Sequence, residues 1–145
     1  MSGDASEQRV QQRAAQAGFP RAARLLKHAD FERVYKQGRR QFSPHLTVFY
    51  LRRAEGASPE AALPLPKNAR VGFTVGRALG GAVVRNRIKR RLREAVRLRR
   101  AALAGTGAID VVINPKKSVL TVEFSVVLEE VGRALDAIAK KMVER

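Results

Sequence analysis

The chain has 145 residues, 45% of them hydrophobic, which suffices for one compact core and leaves little for a second independent domain. Its 29 Lys and Arg against 13 Asp and Glu give a formal charge of +16, so a polyanion is the expected partner, nucleic acid ahead of an anionic membrane. The absence of cysteine excludes disulfides, thiolate metal sites and a cysteine nucleophile, and no apolar run approaches the roughly 20 residues of a membrane-spanning helix.

In chain order, residues 1–20 mix Gln, Ala, Ser and both charge signs around Gly18 and Pro20 without an apolar stripe, the pattern of a flexible tail. No basic-then-apolar signal pattern opens the chain, so a cytoplasmic location is expected. Residues 21–145 are expected to form the single domain. Asp30 is placed to cap a short helix with Phe31, Val34 and Tyr35 on one face, and Gly38 supplies its stop. His45 to Arg52 alternates, with Leu46, Val48 and Tyr50 on one face and Thr47, Phe49 and Leu51 on the other, as a strand does. Residues 54–69, with Gly56, Pro59, Pro64 and Pro66, break both periodicities and read as an interstrand loop. Val71 to Val75 alternates again, with Val71, Phe73 and Val75 opposite Gly72 and Thr74.

Gly80 and Gly81 precede a long basic helix running to about Ala104, and Gly105 to Gly107 ends it. Ile109 to Ile113 reads as a short buried strand stopped by Asn114 and Pro115. Thr121 is placed to cap a last helix whose Phe124, Val127, Leu128, Val131, Leu135 and Ile138 form one stripe. One side of the sheet is then expected to face the two long helices and the other the short one.

The basic helix carries the strongest functional signal. At about 100° per residue, Val84, Ile88, Leu92 and Ala95 share one arc, while Arg85, Asn86, Lys89, Arg90, Arg93, Arg97 and Arg100 fill the other. Nine Lys or Arg lie between Arg85 and Arg100 with only Glu94 to offset them. Like charges at i,i+4 destabilise a helix by roughly 0.2 to 0.5 kcal/mol per pair, so a merely solvated face would not stack Arg85, Lys89, Arg93 and Arg97. A phosphate backbone turns that repulsion into contacts and released counterions, and arginine suits bidentate phosphate grips.

These residues resemble a known family. Arg70-Val71-Gly72-Phe73-Thr74-Val75, followed by Gly80 and by Ala82-Val83-Val84-Arg85-Asn86-Arg87-Ile88-Lys89-Arg90, is similar to the signature of the bacterial ribonuclease P protein component. Leu26 to Gly38 resembles the first helix of that family, and the likeness runs from about Arg24 to the end. The resemblance implies an α+β, single-domain α/β sandwich in the order α-β-β-β-α-β-α, its missing strand falling on Arg39 to Phe42. It also implies a left-handed β-α-β crossover around the basic helix, against the usual preference.

The same resemblance implies an RNA-binding subunit of the ribonucleoprotein that removes the 5′ leader from precursor tRNA. Binding of the catalytic RNA then falls on Arg85, Asn86, Arg87, Lys89, Arg90, Arg91 and Arg93. A cleft for the single-stranded leader falls on Phe31, Tyr35, Thr47, Phe49 and Thr74, with Arg77 keeping a phosphate contact. Aromatic side chains beside cations hold single strands with little sequence preference. Where the family commonly shows Ser-Lys-Lys after the third strand, this chain has Gly76-Arg77-Ala78, and Gly81 replaces a frequent Asn.

Catalytic groups and a protein-bound metal are not expected. His28 and His45 fit surface or cap positions, and Asp30, Glu32, Asp110, Glu123, Glu129 and Glu130 read as scattered caps and solvated acids rather than a two-metal set. In the family Mg²⁺ is bound by the RNA component. The competing classes are a structural RNA-binding protein such as a ribosomal protein, which would lack the aromatic cleft, and a protein-only metal-dependent nuclease, which would need an acid cluster.

Overall fold

The computed structural model describes residue 19 and residues 21–53 and 69–143. Three α-helices and four strands follow one another as α1 (His28–Gln37), β1 (Arg39–Phe42), β2 (Leu46–Arg52), β3 (Arg70–Phe73), α2 (Ala82–Arg99), β4 (Ile109–Pro115) and α3 (Phe124–Val143). This is the α-β-β-β-α-β-α order, and Arg39–Phe42 is its first strand. The interstrand loop expected over 54–69 lies outside the described residues save Ala69. Of the expected tail only Phe19 is described, and its ring is buried in the core, 6.2 Å from that of Phe73.

The sheet order is β1-β2-β4-β3, with β1/β2 and β2/β4 antiparallel and β3/β4 parallel, so the chain passes from β3 to its parallel neighbour β4 through α2. Phe49 lies opposite Val112, and Val112 opposite Gly72, which places alternate residues of all three strands on common faces. One face carries Leu46, Val48, Tyr50, Val71, Ile109, Val111 and Ile113 into the main core. There they meet Ile88, Leu92, Ala95 and Val96 of α2 and Val127, Val131, Leu135 and Ile138 of α3. The period-3.6 stripes of both helices and the period-2 alternation of the strands therefore converge on one buried layer.

The opposite face is thinly covered. Only Leu25, Val34 and Val112 form its buried cluster, with Phe31, Phe49 and Leu51 against them. Gly72 lets α1 come this close: a Cβ there would sit 2.6 Å from the Phe31 ring and 2.9 Å from the Leu25 Cβ. Ahead of α1, the Leu25 N–H donates to the Val71 carbonyl at 3.0 Å, and Arg24 bridges Val71, so this segment lines the outer edge of β3.

Several local expectations are corrected. Asp30 does not cap α1, which begins at His28 after Lys27 with no side-chain cap bond. Its carboxylate is drawn instead to the buried Arg70, whose need for a counter-charge outweighs that of a helix-end N–H. Thr121 does not cap α3 either. Its hydroxyl donates to the Ser118 carbonyl, and the Glu123 carbonyl accepts from Val126 and Val127 at the start of that helix. Helix α2 leaves α geometry at Arg99 and finishes in a 3-10 turn, Arg100–Leu103. Among the described residues no helix is long and apolar enough to cross a membrane.

Candidate nucleic-acid interface

The thin face of the sheet is a polar and aromatic surface beneath α1. Tyr35 leaves the last turn of α1 and its hydroxyl donates to Asn114 Oδ1 at 2.9 Å while sharing a second hydrogen bond with the Thr74 hydroxyl. Its ring meets Phe49 edge-on, with centroids 4.9 Å apart and planes at 87°. Thr47 faces Asn114 across the β2/β4 ladder, and the Thr74 N–H extends the β3/β4 ladder to the Ile113 carbonyl at 3.0 Å. Phe31, Tyr35, Thr47, Phe49 and Thr74 thus share one surface. Arg77 lies beyond it, exposed in the short 3-10 turn Arg77–Leu79 that leads through Gly80, at φ 140°, into α2.

Sequence reasoning missed three members of this surface. Arg40 and Phe42 of β1 stand opposite Phe49 and Thr47, and the Arg40 guanidinium lies over both the Phe42 and Phe49 rings, at 5.6 and 5.7 Å. In sequence Asn114 reads only as a strand stop. Alternation along β1 would have found the first two had its register been known, because Arg40 and Phe42 are two residues apart.

The second candidate surface is the basic arc of α2. Asn86, Arg87, Arg90 and Arg93 are exposed, and Arg85 and Lys89 half-buried. Arg91 differs: its guanidinium donates to the Val119 carbonyl at 2.8 Å and to the Val122 carbonyl, pinning α2 to the segment before α3. Arg97 is engaged by Glu94 at i,i+3, and its hydrogen bond holds the Glu94 carboxyl below the usual carboxylate range. The acid in this run therefore neutralises one arginine and leaves the exposed N-terminal cluster unbalanced.

Among the described residues, Asp30, Glu94, Asp110, Glu129 and Glu130 are committed to arginines or to the backbone. Asp110, expected among caps and solvated acids, is instead buried between two arginines. Arg70 donates to it through Nε and Nη2 at 2.8 and 2.9 Å, and Arg53 pairs with the same carboxylate. Arg70 reaches on to Asp30 at 3.5 Å, and Asp30 to Arg33 at 3.3 Å, which joins sheet and α1 by a chain of alternating charges. Glu130 accepts from the His45 backbone N–H, and half-buried His45 bonds the Ser118 hydroxyl through Nδ1 at 2.7 Å. His28 is exposed beside Glu32. Among the described residues no group of three or more His, Asp or Glu is placed to hold a metal ion.

Comparison with known proteins places the chain in one family. A family model described as Ribonuclease P matches residues 19–139. The ribonuclease P protein component of Carboxydothermus hydrogenoformans is 37% identical over 106 residues, covering 73% of this chain and 82% of that protein. The one from Desulforapulum autotrophicum is 31% identical over 122 residues, covering 84% and 93%. Among solved structures, the RNase P protein from Thermotoga maritima in complex with 1-(4-fluorophenyl)-2-thiourea superposes with a TM-score of 0.62 at 26% identity, covering 78% of this chain and 97% of that one. The chain belongs to the ribonuclease P protein family, and is an RNA-binding subunit of the ribonucleoprotein endoribonuclease that matures the 5′ end of tRNA.

Proposed function

We propose that the two surfaces divide the work of this subunit. The exposed N-terminal arc of α2, with Arg85, Asn86, Arg87, Lys89, Arg90 and Arg93, grips the backbone of the catalytic RNA, while Arg91 braces the helix. The face beneath α1, with Phe31, Tyr35, Thr47, Phe49 and Thr74, receives the single-stranded leader of precursor tRNA, and exposed Arg77 contacts a phosphate between the two. Mg²⁺ is held by the RNA, and the protein works in the cytoplasm.

One observation carries the reading of the cleft. The Tyr35 hydroxyl spans from α1 to Thr74 and Asn114 and leaves its ring at the surface against Phe49, an aromatic edge beside polar sheet residues rather than a closed core. Such an arrangement can stack bases without reading their sequence, as a leader that varies among transcripts requires. The test compares the affinity of precursor tRNA with that of leaderless tRNA for the reconstituted RNA–protein complex. Tighter binding of the leader-bearing form is expected, and equal affinities would refute the cleft.

A further inference from the structure

Phe42 is the most exposed large apolar side chain among the described residues, at 73%, and it stands on the edge strand of the sheet. Leaving an aromatic ring in water forgoes the burial that stabilises the other sheet aromatics. It is not isolated. The Arg40 guanidinium lies between the Phe42 and Phe49 rings, and Phe49 in turn meets Tyr35, so three rings and one cation form a continuous track from under α1 to the outer edge of β1. Register puts Phe42 at the end of a cross-strand row that passes through Thr47 to Asn114, beside Thr74. Near Thr74 the chain turns through Arg77 into α2, whose basic arc faces the catalytic RNA in the proposed arrangement. The β1 end of the row lies at the opposite edge of the sheet from β3, which leads into α2.

We propose that Arg40 and Phe42 extend the leader cleft across β1, offering a stacking platform and a phosphate contact to leader nucleotides farther from the cleavage site than those at Tyr35 and Phe49. The inference rests on the leader reading of the cleft. Single-stranded RNA is favoured over a second protein copy because exposed Arg40 shares the face of β1 with the exposed ring and lies over it, a charge that repels another basic chain and attracts phosphate. A guanidinium held over two rings by cation–π attraction is also pre-organised to offer its N–H edge to a phosphate.

The experiment measures the affinity of the holoenzyme, reconstituted with its RNA subunit, for precursor tRNAs whose leaders are shortened one nucleotide at a time. Wild-type affinity should climb with leader length to a plateau. Phe42→Ala should reach its plateau at a shorter leader and lose about five- to tenfold in affinity for long leaders, the low end of base stacking because the platform is open on one side. It should match wild type for short leaders and for leaderless tRNA. Phe42→Trp should restore the long-leader gain. A wild-type profile in Phe42→Ala, or an equal loss at every length including none, would overturn the inference while leaving the Tyr35 cleft standing. A wild-type dimer that Phe42→Ala converts to a monomer would assign the edge to a second copy and overturn it too. Wild-type affinity indifferent to leader length would instead mean that the cleft reading itself had failed.

Discussion

Arg70 of β3 grips Asp110 of β4 through two parallel hydrogen bonds, at 2.8 and 2.9 Å, in an interior where the aspartate side chain is 1% exposed. Arg53 shares that carboxylate, and Arg70 also reaches Asp30 on α1, so two buried arginines are matched by two buried aspartates. The pair joins the parallel strands, and its extension to Asp30 ties α1 to the sheet at the end of the helix opposite Tyr35. The cleft is thus held at both ends by polar contacts, with a small apolar cluster between them.

Asp110→Asn should destabilise the protein by about 3 to 5 kcal/mol, because it removes the buried carboxylate charge that Arg53 and Arg70 share. Denaturant unfolding of the purified variant measures this. A loss under about 1 kcal/mol would mean that the arginines reach solvent when the aspartate is neutralised.

Gly72→Ala should push the Phe31 ring and Leu25 away from β3, since the added Cβ would stand within 3.0 Å of both residues and one of those contacts is the Leu25 backbone carbonyl. A cost of about 1 to 3 kcal/mol is expected from overpacking. Affinity for leader-bearing substrate should fall more than affinity for leaderless tRNA.

The arginines of α2 should separate by role. Replacing Arg85, Arg87 and Arg90 with Ala should flatten the salt dependence of RNA binding by roughly 0.7 to 0.9 in slope for each phosphate no longer neutralised. Arg91→Ala should instead lower thermal stability with little change in slope, because its guanidinium serves the Val119 and Val122 carbonyls. An unchanged slope in the triple variant would refute direct phosphate binding by this arc.

Tyr35→Phe keeps the ring against Phe49 and removes the hydroxyl that bonds Thr74 and Asn114. It should cost about 0.5 to 1.5 kcal/mol of stability, toward the lower figure at this exposed position, with leader binding largely retained. Phe31→Leu together with Tyr35→Leu should fold and lose the affinity gained from the leader. A double variant that fails to fold would make the pair core residues.

The Glu94–Arg97 pair gives a small acid dependence. Hydrogen bonding by Arg97 lowers the Glu94 pKa, so its stabilising contribution is complete above the ordinary glutamate range, about 4.3, and is lost as pH falls through the depressed folded value. The pair is partly exposed, so solvent screening keeps this contribution small. Glu94→Gln should flatten that acid limb and, by releasing Arg97, steepen the salt dependence of RNA binding.

The two apolar helix stripes and the faces of β2 and β3 were legible in the sequence, because each follows from a short periodic pattern, whereas the strand at Arg39–Phe42, and with it the full order of elements, came from the family resemblance. The basic arc of α2 was legible too, since its unbalanced charge is a local property of one helix. The role of Asp110 was not: an aspartate inside Ile-Asp-Val-Val-Ile gives no local sign of the arginines that meet it, which come from positions 53 and 70. Arg91 and Arg90 are adjacent in one basic run, and only the placement of the Val119 and Val122 carbonyls distinguishes the brace from its exposed neighbour.

By itself the sequence determined a single basic α+β domain, its family and the helix whose unbalanced charge is proposed to meet RNA, since periodicity, charge and motif spacing are written along the chain. Tertiary structure decided which polar groups are paired and which are presented. Burial and register depend on residues far apart in sequence, and they turn Asp30 and Asp110 inward while setting Arg40 and Phe42 beside Phe49 on the open face.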